Sequence, residues 1–370
     1  MIFLNLMSLT LGFIIAMLVI PHIIHVAKTR SLFDFIDERK VHSAAIPPFG
    51  GIAIFIGFIL STIATTGNQI FITFRYVMAA VILLFFTGLK DDLVKISARK
   101  KFAVQILASL LLILLGNVRL TYGHGFFAVN EINYLFSVTL TLFIMLSIIN
   151  AFNFIDGIDG LAAGLGIVAA SFFGIWFFLT GSDIYATMSF ALAGSLGGFF
   201  IYNVFGNKNK LFMGDTGSLI TGLIISVLAI QFNEFNISKT AEWSFNAAPS
   251  VSFAVVMIPL IDTCRVIYIR LANKKSPFYP DKNHIHHKLL SLIPDHFSVT
   301  LILTSTSIIL ILLSIILNYI FINVTLQFIL MFLTGLTFSF IPSHILRKKQ
   351  EKIKGKEIKL YPGALKKSIA

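Results

Sequence analysis

"NYLFSVTLTLFIMLSIINAFNFIDGIDGLAAGLGIVAASFFGIWFFL", residues 133–179, is two apolar runs with a polar dozen between them. Each run is close to the roughly 20 residues that one helix needs to cross a hydrocarbon core. The interruption, Asn150 to Leu161, carries Asn150, Asn153, Asp156 and Asp159 at steps of three, beside Gly157 and Gly160. Asp and Asn are poor helix formers and costly to bury. Two greasy runs around such a stretch read as membrane helices joined at one surface by a loop that keeps its oxygens for a purpose.

The same alternation extends outward to both ends of the chain. Of 370 residues, 56% are hydrophobic and 12% charged, about half the charge of a soluble domain. Eleven apolar segments are candidate spans, at about 3–25, 47–66, 70–89, 102–118, 133–150, 160–180, 184–204, 216–231, 249–271, 298–317 and 320–342. The expected fold is therefore all-α, a polytopic integral membrane protein with about 11 transmembrane helices. Residues 1–346 form its membrane-embedded domain and residues 347–370 a basic tail. The single cysteine, Cys264, excludes a disulfide framework and a Cys-based zinc site. The first apolar run has no basic residue before it and is longer than a signal h-region, so it reads as an uncleaved span.

Charge sets the sides. With the N-terminus outside, 24 of the 29 Lys and Arg residues fall on inside connections or the C-terminal tail, and only Arg119 and Lys239 on outside ones. That is a strong positive-inside bias. It accounts for the net charge of +12 without a nucleic-acid partner. It also places "GLKDDL" (88–93), "NAFNFIDGIDGL" (150–161), "FMGDTGS" (212–218) and "PDKNHIHHKLL" (280–290) together on the cytoplasmic side. A transporter would be expected to gather such groups near the bilayer midplane. One polar face suggests an active site fed from the cytosol.

Asp91, Asp92, Asp156, Asp159 and Asp215 are five of only eleven aspartates. Steps of three drift by about 60° on a regular helix, so a break at Gly157 and Gly160 is the simplest way to bring the oxygens of that stretch together. Carboxylates with Asn carbonyls are hard donors suited to Mg2+ or Mn2+. Each motif alone also fits a helix cap or a turn; all of them on one side, beside basic residues, fit phosphoryl transfer better. Most of the lysines need only the positive-inside bias. Lys101 and Arg270 stand apart because each lies at a span end. Arg39, Lys40 and His42 precede "IPPFGG" (46–51). His284, His286 and His287 have no nearby Cys and no H-E-x-x-H helix, which argues against zinc and for contact with phosphate or sugar. Asp262 and Arg265, three apart within a span, read as a structural salt bridge.

Taken together, these motifs resemble the polyprenyl-phosphate N-acetylhexosamine-1-phosphate transferases. The resemblance covers about residues 1–345 and rests on "RKVH", "PPFGG", "KDDL" with "SARKKF", "NAFNFIDGIDGLAAG", "FMGDTGSL" and "SPFYPDKNHIHHKLL", in the family's order. It implies transfer of a sugar-1-phosphate from a UDP-amino sugar to a polyprenyl phosphate, with release of UMP and a requirement for Mg2+. By the same resemblance, Asp215 is the main metal ligand, assisted by Asn153 or Asp156. Asp91 and Asp92 receive the lipid phosphate, one as a general base, with Lys101 holding phosphate charge. Asp156 and Asp159 orient the nucleotide sugar, Phe212 offers a face to uracil, and Arg270 with His284, His286 and His287 clasps the diphosphate or sugar. The histidine motif is similar to the branch that uses UDP-GlcNAc at the bacterial inner membrane. The alternatives are a sibling using another UDP-N-acetylhexosamine or UDP-MurNAc-pentapeptide and, from a different class, a cation-coupled transporter. A CDP-alcohol phosphotransferase would carry D-G-x-x-A-R, and the sequence has none. "NVFGNKNKLF" (203–212) lacks the proline-containing segment of many relatives, a departure that bears on nucleobase contacts. Oligomeric state, a homodimer included, is open at this level.

Overall fold

The computed structural model describes residues 2–32, 46–66, 72–237, 243–276, 281–320 and 323–360. Arg39, Lys40 and His42 lie outside the described residues, as do positions 277–280. The described chain is helical apart from one small antiparallel hairpin, β1 (Tyr122–Phe126) and β2 (Val129–Glu131). The helices are α1 (Ile2–Thr29), α2 (Gly50–Thr65), α3 (Ile72–Leu93), α4 (Ala98–Leu110), α5 (Tyr134–Ile155), α6 (Leu161–Leu179) and α7 (Asp183–Phe205). They continue as α8 (Gly214–Phe235), α9 (Ala248–Val255), α10 (Met257–Ala272), α11 (Ile285–Leu290), α12 (His296–Ile320) and α13 (Val324–Leu360).

As far as they are described, all eleven apolar segments lie mainly on helices, but they are not equivalent. Among the described residues, seven helices are long and apolar enough to cross a membrane: α1, α5, α6, α7, α8, α12 and α13. The segment at 249–271 is instead two helices, α9 and α10, bent by 76°. Pro259 is the cause: it has no N–H for the carbonyl of Val255, and its ring crowds that carbonyl. Of the remaining three, α2 has 16 residues, α3 carries Lys90, Asp91 and Asp92 in its last turn, and α4 carries Arg99, Lys100 and Lys101 in its first turn before a π-turn at Leu111–Leu115.

Helix α8 is the axis of the bundle. Between Asp215 and Glu234 it carries no charge, and every residue from Thr216 to Asn233 is buried. A helix apolar on all sides is one that packs on all sides; α2, α3, α5 and α6 surround it. Small residues set the closest approaches, as is usual where lipid gives helices no hydrophobic drive to associate. A Cβ at Gly222 would stand 2.7 Å from the Ile149 Cα, and one at Gly194 only 2.0 Å from the Leu9 carbonyl.

The two ends differ in kind. At one, Thr121 donates through N–H and hydroxyl to Glu234 at 2.7 Å each, and His124 of the hairpin meets the Asn233 carbonyl at 3.0 Å. Trp176 donates to the Trp243 carbonyl, and Phe127 N–H to Thr325. At the other end meet the segments before α2 and α8, the turn after α3, the α5–α6 turn and the histidine-bearing helix α11. Pro47, Gly50 and Gly51 pair by backbone with Phe212 and Met213, at 2.8–2.9 Å, so "PPFGG" and "FMGD" form one short seam.

Candidate active site

That seam delivers Asp215 to the start of α8. Gly214 just before it has φ +70°, a left-handed conformation that turns the chain sharply into the helix. A side chain there would also collide with Pro48 and Asp92. The first backbone donors of α8 have no partner within the helix. Asp92 supplies one from α3: its Oδ1 accepts from Asp215 N at 2.8 Å, and its Oδ2 from Thr216 N at 3.0 Å and the Thr216 hydroxyl at 2.6 Å. Asp92 is thus a cap borrowed from another helix, its negative charge on the positive end of the α8 dipole.

Asp91, one residue earlier, points to different partners. Its Oδ1 accepts from Ile96 N at 2.6 Å, which closes the turn between α3 and α4. Its Oδ2 lies 3.3 Å from Lys101 Nζ. The same ammonium is 3.4 Å from Asn153 Oδ1 and in short contact with Asp215 Oδ2. Asn153 in turn donates through Nδ2 to Asp215 Oδ1 at 2.6 Å and to the Ser218 hydroxyl at 2.9 Å. Oxygens from α3, α5 and α8 therefore face one point. No three His, Cys, Asp or Glu side chains among the described residues are grouped closely enough to hold a metal; the position between Asp91, Asn153 and Asp215 holds the Lys101 ammonium instead. Its donors are two carboxylates and an amide carbonyl, a set that suits Mg2+ or Mn2+ rather than zinc.

The stretch at 150–161 breaks where its glycines suggest. Helix α5 ends at Ile155, Asp156 closes it with φ −74° and ψ 63°, and α6 begins after Gly160 at φ +76°. Burial, and then the charges of Asp215, Asp92 and Asp159, push the Asp156 carboxyl up to about 8. Such crowding of acids is what a divalent cation would relieve. Asn150 departs from the pattern, donating to Gln105 at 2.7 Å away from the oxygen cage. Asp159 is also differently engaged: its Oδ2 accepts from Lys210 Nζ and meets His296 Nδ1, both at 2.6 Å, and its carbonyl accepts from Thr300. It ties the α5–α6 turn to the segment before α8 and to the start of α12. Asn203 completes that seam, accepting from Gly160 N and donating to the Leu211 carbonyl. The residues of "NVFGNKNKLF" thus brace the glycine turn.

The histidine-bearing loop closes over the same end. Asp262 and Arg265 form the expected ion pair at 2.8 Å. Asp262 also takes Ile285 N at 2.8 Å and His284 Nδ1 at 2.8 Å, while Arg265 reaches the Asn283 carbonyl at 2.7 Å. An apolar cavity lined by Met257, Ile261, Leu310 and Phe338 borders Asp262, so an unpaired charge there would be costly. Arg270 holds Asp281 with a two-pronged contact at 3.1 and 3.2 Å, touches His284 Nε2 at 3.3 Å, and stands over the Phe154 ring. Although burial acts the other way, the bonds from Arg270 and Asn283 hold the Asp281 carboxyl below its usual range. His286 is buried against Gly157, and burial keeps its imidazole neutral. His287 is half-buried, its pKa lowered to about 4 by burial and by His284 and Lys282.

The structure thus brings Asp91, Lys101, Asn153 and Asp215 into direct contact, sets Asp92 behind them and Asp156 beside them, and packs the His284–His287 helix against the α5–α6 turn. Two expected groupings come apart. Asp92 does not share the outlook of Asp91, because both its oxygens serve the α8 terminus. Asp159 does not share that of Asp156, because it is committed to Lys210 and His296. Of the histidines, His284 is bound up with Asp262 and Arg270, which leaves His287 the more open imidazole. Phe212 is half-buried, its backbone held by Pro47 and Gly50. Sequence reading passed over Thr216, Ser218, Asn203, Lys210, Asp281 and His296. All but His296 stand inside a quoted motif, where the neighbouring aspartates and histidines draw the eye; Lys210 is hidden by the positive-inside bias.

Comparison with known proteins accords with this arrangement. A family model described as Glycosyl transferase family 4 matches residues 74–233, which span α3 through α8 and contain the whole oxygen cage. An undecaprenyl-phosphate alpha-N-acetylglucosaminyl 1-phosphate transferase of Yersinia pestis is 33% identical over 70% of this chain and 69% of its own length. A decaprenyl-phosphate N-acetylglucosaminephosphotransferase of Mycolicibacterium smegmatis is 34% identical over 72% of this chain and 70% of its own. A probable undecaprenyl-phosphate N-acetylglucosaminyl 1-phosphate transferase of Bacillus subtilis is 29% identical over 81% and 82%. With its multi-pass helical architecture and its cluster of aspartates at one end of the bundle, the chain belongs to glycosyl transferase family 4, alongside these transferases.

Proposed function

We propose that the protein transfers GlcNAc-1-phosphate from UDP-GlcNAc to undecaprenyl or another polyprenyl phosphate, giving polyprenyl-diphospho-GlcNAc and UMP. The convergence of Asp91, Lys101, Asn153 and Asp215 at one end of a membrane bundle carries this reading, together with the activities named for the relatives. A lipid-phosphate oxygen attacks the phosphorus bonded to the sugar; the bridging P–O bond to the uridylate breaks and UMP leaves. The attacking phosphate is already ionised near neutral pH, so Asp91 need not act as a strong base; it positions the Lys101 ammonium, which with the divalent cation would offset the phosphate charge. Asp215, with Asn153 through Oδ1 and Asp91 or Asp156 beside them, would hold Mg2+ or Mn2+, which when bound supplies charge neutralisation on the diphosphate. Asp156 and the Asp159 seam shape the nucleotide side, Phe212 offers a face to uracil, and Arg270 with His287 meets the diphosphate or sugar from the other side.

The alternation of connections between the two ends supports eleven crossings, with α2, α3 and α4 as the short or polar ones. The basic residues gathered around the aspartate-bearing end support a cytoplasmic active site, an external N-terminus and a cytoplasmic C-terminus in a bacterial inner membrane.

Purified protein should release UMP from UDP-GlcNAc only when Mg2+ and polyprenyl phosphate are both present, read by coupled UMP detection and mass spectrometry of the lipid product. Substrate movement across sealed vesicles without UMP would instead establish a transporter. Arg270→Ala should raise the KM for UDP-GlcNAc by about 10- to 100-fold, the loss expected for charge-assisted bonds. The KM for lipid phosphate should move much less. Equal effects on both substrates would remove Arg270 from the sugar-nucleotide side.

A further inference from the structure

Lys101 sits where its helix should not favour a cation. It lies in the first turn of α4, after Arg99 and Lys100, at the positive end of that helix's dipole. What holds it is the cage: its ammonium contacts Asp91 Oδ2, Asn153 Oδ1 and Asp215 Oδ2, from three different helices. An ammonium has three donors, so these three oxygens saturate it. In this state Lys101 has no donor left for a substrate phosphate. The same three oxygens are the donors that would hold a divalent cation. The Asp91 and Asn153 oxygens stand 3.3 and 3.4 Å from the nitrogen, against about 2.0–2.1 Å for Mg2+.

We propose that Lys101 is the resident counter-ion of this cage and changes places with the divalent cation, so that loading the cage expels the ammonium and frees it to meet a phosphate. The proposal rests on the reading that the transferase uses Mg2+. The exchange balances charge: two carboxylates that share one ammonium when the cage is unloaded share a dication when it is loaded. It needs no helix movement, because the lysine stem has four rotatable carbons and the turn before α4 is anchored separately by Asp91 Oδ1 on Ile96 N. It also makes the order of events chemical: the lysine becomes available to phosphate only after the metal is in place.

Two measurements on the full-length protein in detergent, without substrates, test the exchange. Mn2+ binding followed by electron paramagnetic resonance should be about tenfold or more tighter in Lys101→Met than in the wild type, because the competing cation is gone. In the wild type, amine labelling read by mass spectrometry should become several-fold faster at Lys101 when Mg2+ is added, while the exposed Lys95 and Lys100 are unchanged. If the wild type binds Mn2+ but Lys101→Met binds it no more tightly, or if Mg2+ leaves Lys101 labelling unchanged or slows it, the exchange is overturned while the proposed reaction stands. If neither protein binds Mn2+ at all, the metal reading itself fails, and the exchange with it.

Discussion

Asp215→Ala should abolish turnover, with a loss in kcat of at least about a thousandfold, and should do so in a protein that still folds. The geometry separates the two effects. The backbone N–H of residue 215, which Asp92 caps at 2.8 Å, is retained by alanine. Alanine also has the better helix propensity, so the start of α8 survives. What disappears is the carboxylate to which Lys101 and Asn153 both point. Asn153 Nδ2 keeps Ser218 as a partner at 2.9 Å, and Lys101 keeps Asp91, so no buried polar group is stranded. The melting temperature should stay within a few degrees of the wild type, while UMP release from UDP-GlcNAc falls to background. Asp215→Asn should behave in the same way, since the amide preserves shape but not charge. Near-normal UMP release by Asp215→Ala would remove this residue from the metal site and leave the cage without its principal donor.

The helical membrane fold is legible in the sequence because hydrophobic length is a strong, local signal: the described part of each of the eleven segments is mainly helix, and seven of these helices are long and apolar enough to cross a membrane. The bend at Val256 is less so, since Pro259 accompanies a 76° break while Pro21 sits inside the unbroken α1, and the sequence alone does not separate the two cases. The oxygen cage is legible as chemistry, through Asp and Asn residues that an apolar chain has no structural reason to concentrate. Its internal division of labour is not. Asp91 and Asp92 are the same residue type at adjacent positions, and only the approach of α8 decides that one caps a helix while the other faces Lys101. Asp156 and Asp159 part company for a similar reason. Lys210 and His296 come from remote parts of the chain and carry no pattern that marks them as partners of Asp159. Long-range pairing of lone polar residues leaves no periodic trace, so it has to be seen in three dimensions.

The Asp91–Asp92 pair supplies the second large effect, because identical substitutions at neighbouring positions should fail for opposite reasons. In Asp91→Asn the amide oxygen can still take Ile96 N, so the α3–α4 turn holds. The charge that faces Lys101 is lost. Turnover should fall by about 10²- to 10³-fold, the loss that follows removal of one preorganised electrostatic partner, with little change in melting temperature. In Asp92→Asn one side of the amide must become a donor. That donor would face either Asp215 N–H or Thr216 N–H, both of which need acceptors, although the Thr216 hydroxyl could turn to accept. Hydrogen bonds to a charged acceptor are worth more than neutral ones, and an unmet donor at a packed helix terminus costs about 2–3 kcal/mol, a drop in melting temperature of about 5 °C. Folded Asp92→Asn should lose less activity per molecule than Asp91→Asn while melting earlier. Thermal melts and UMP release measured on the same preparations read both axes at once. Should the two variants lose turnover equally and melt together, the carboxylates act as one pair on the substrate, and the division between cap and catalytic face drawn from the start of α8 does not hold.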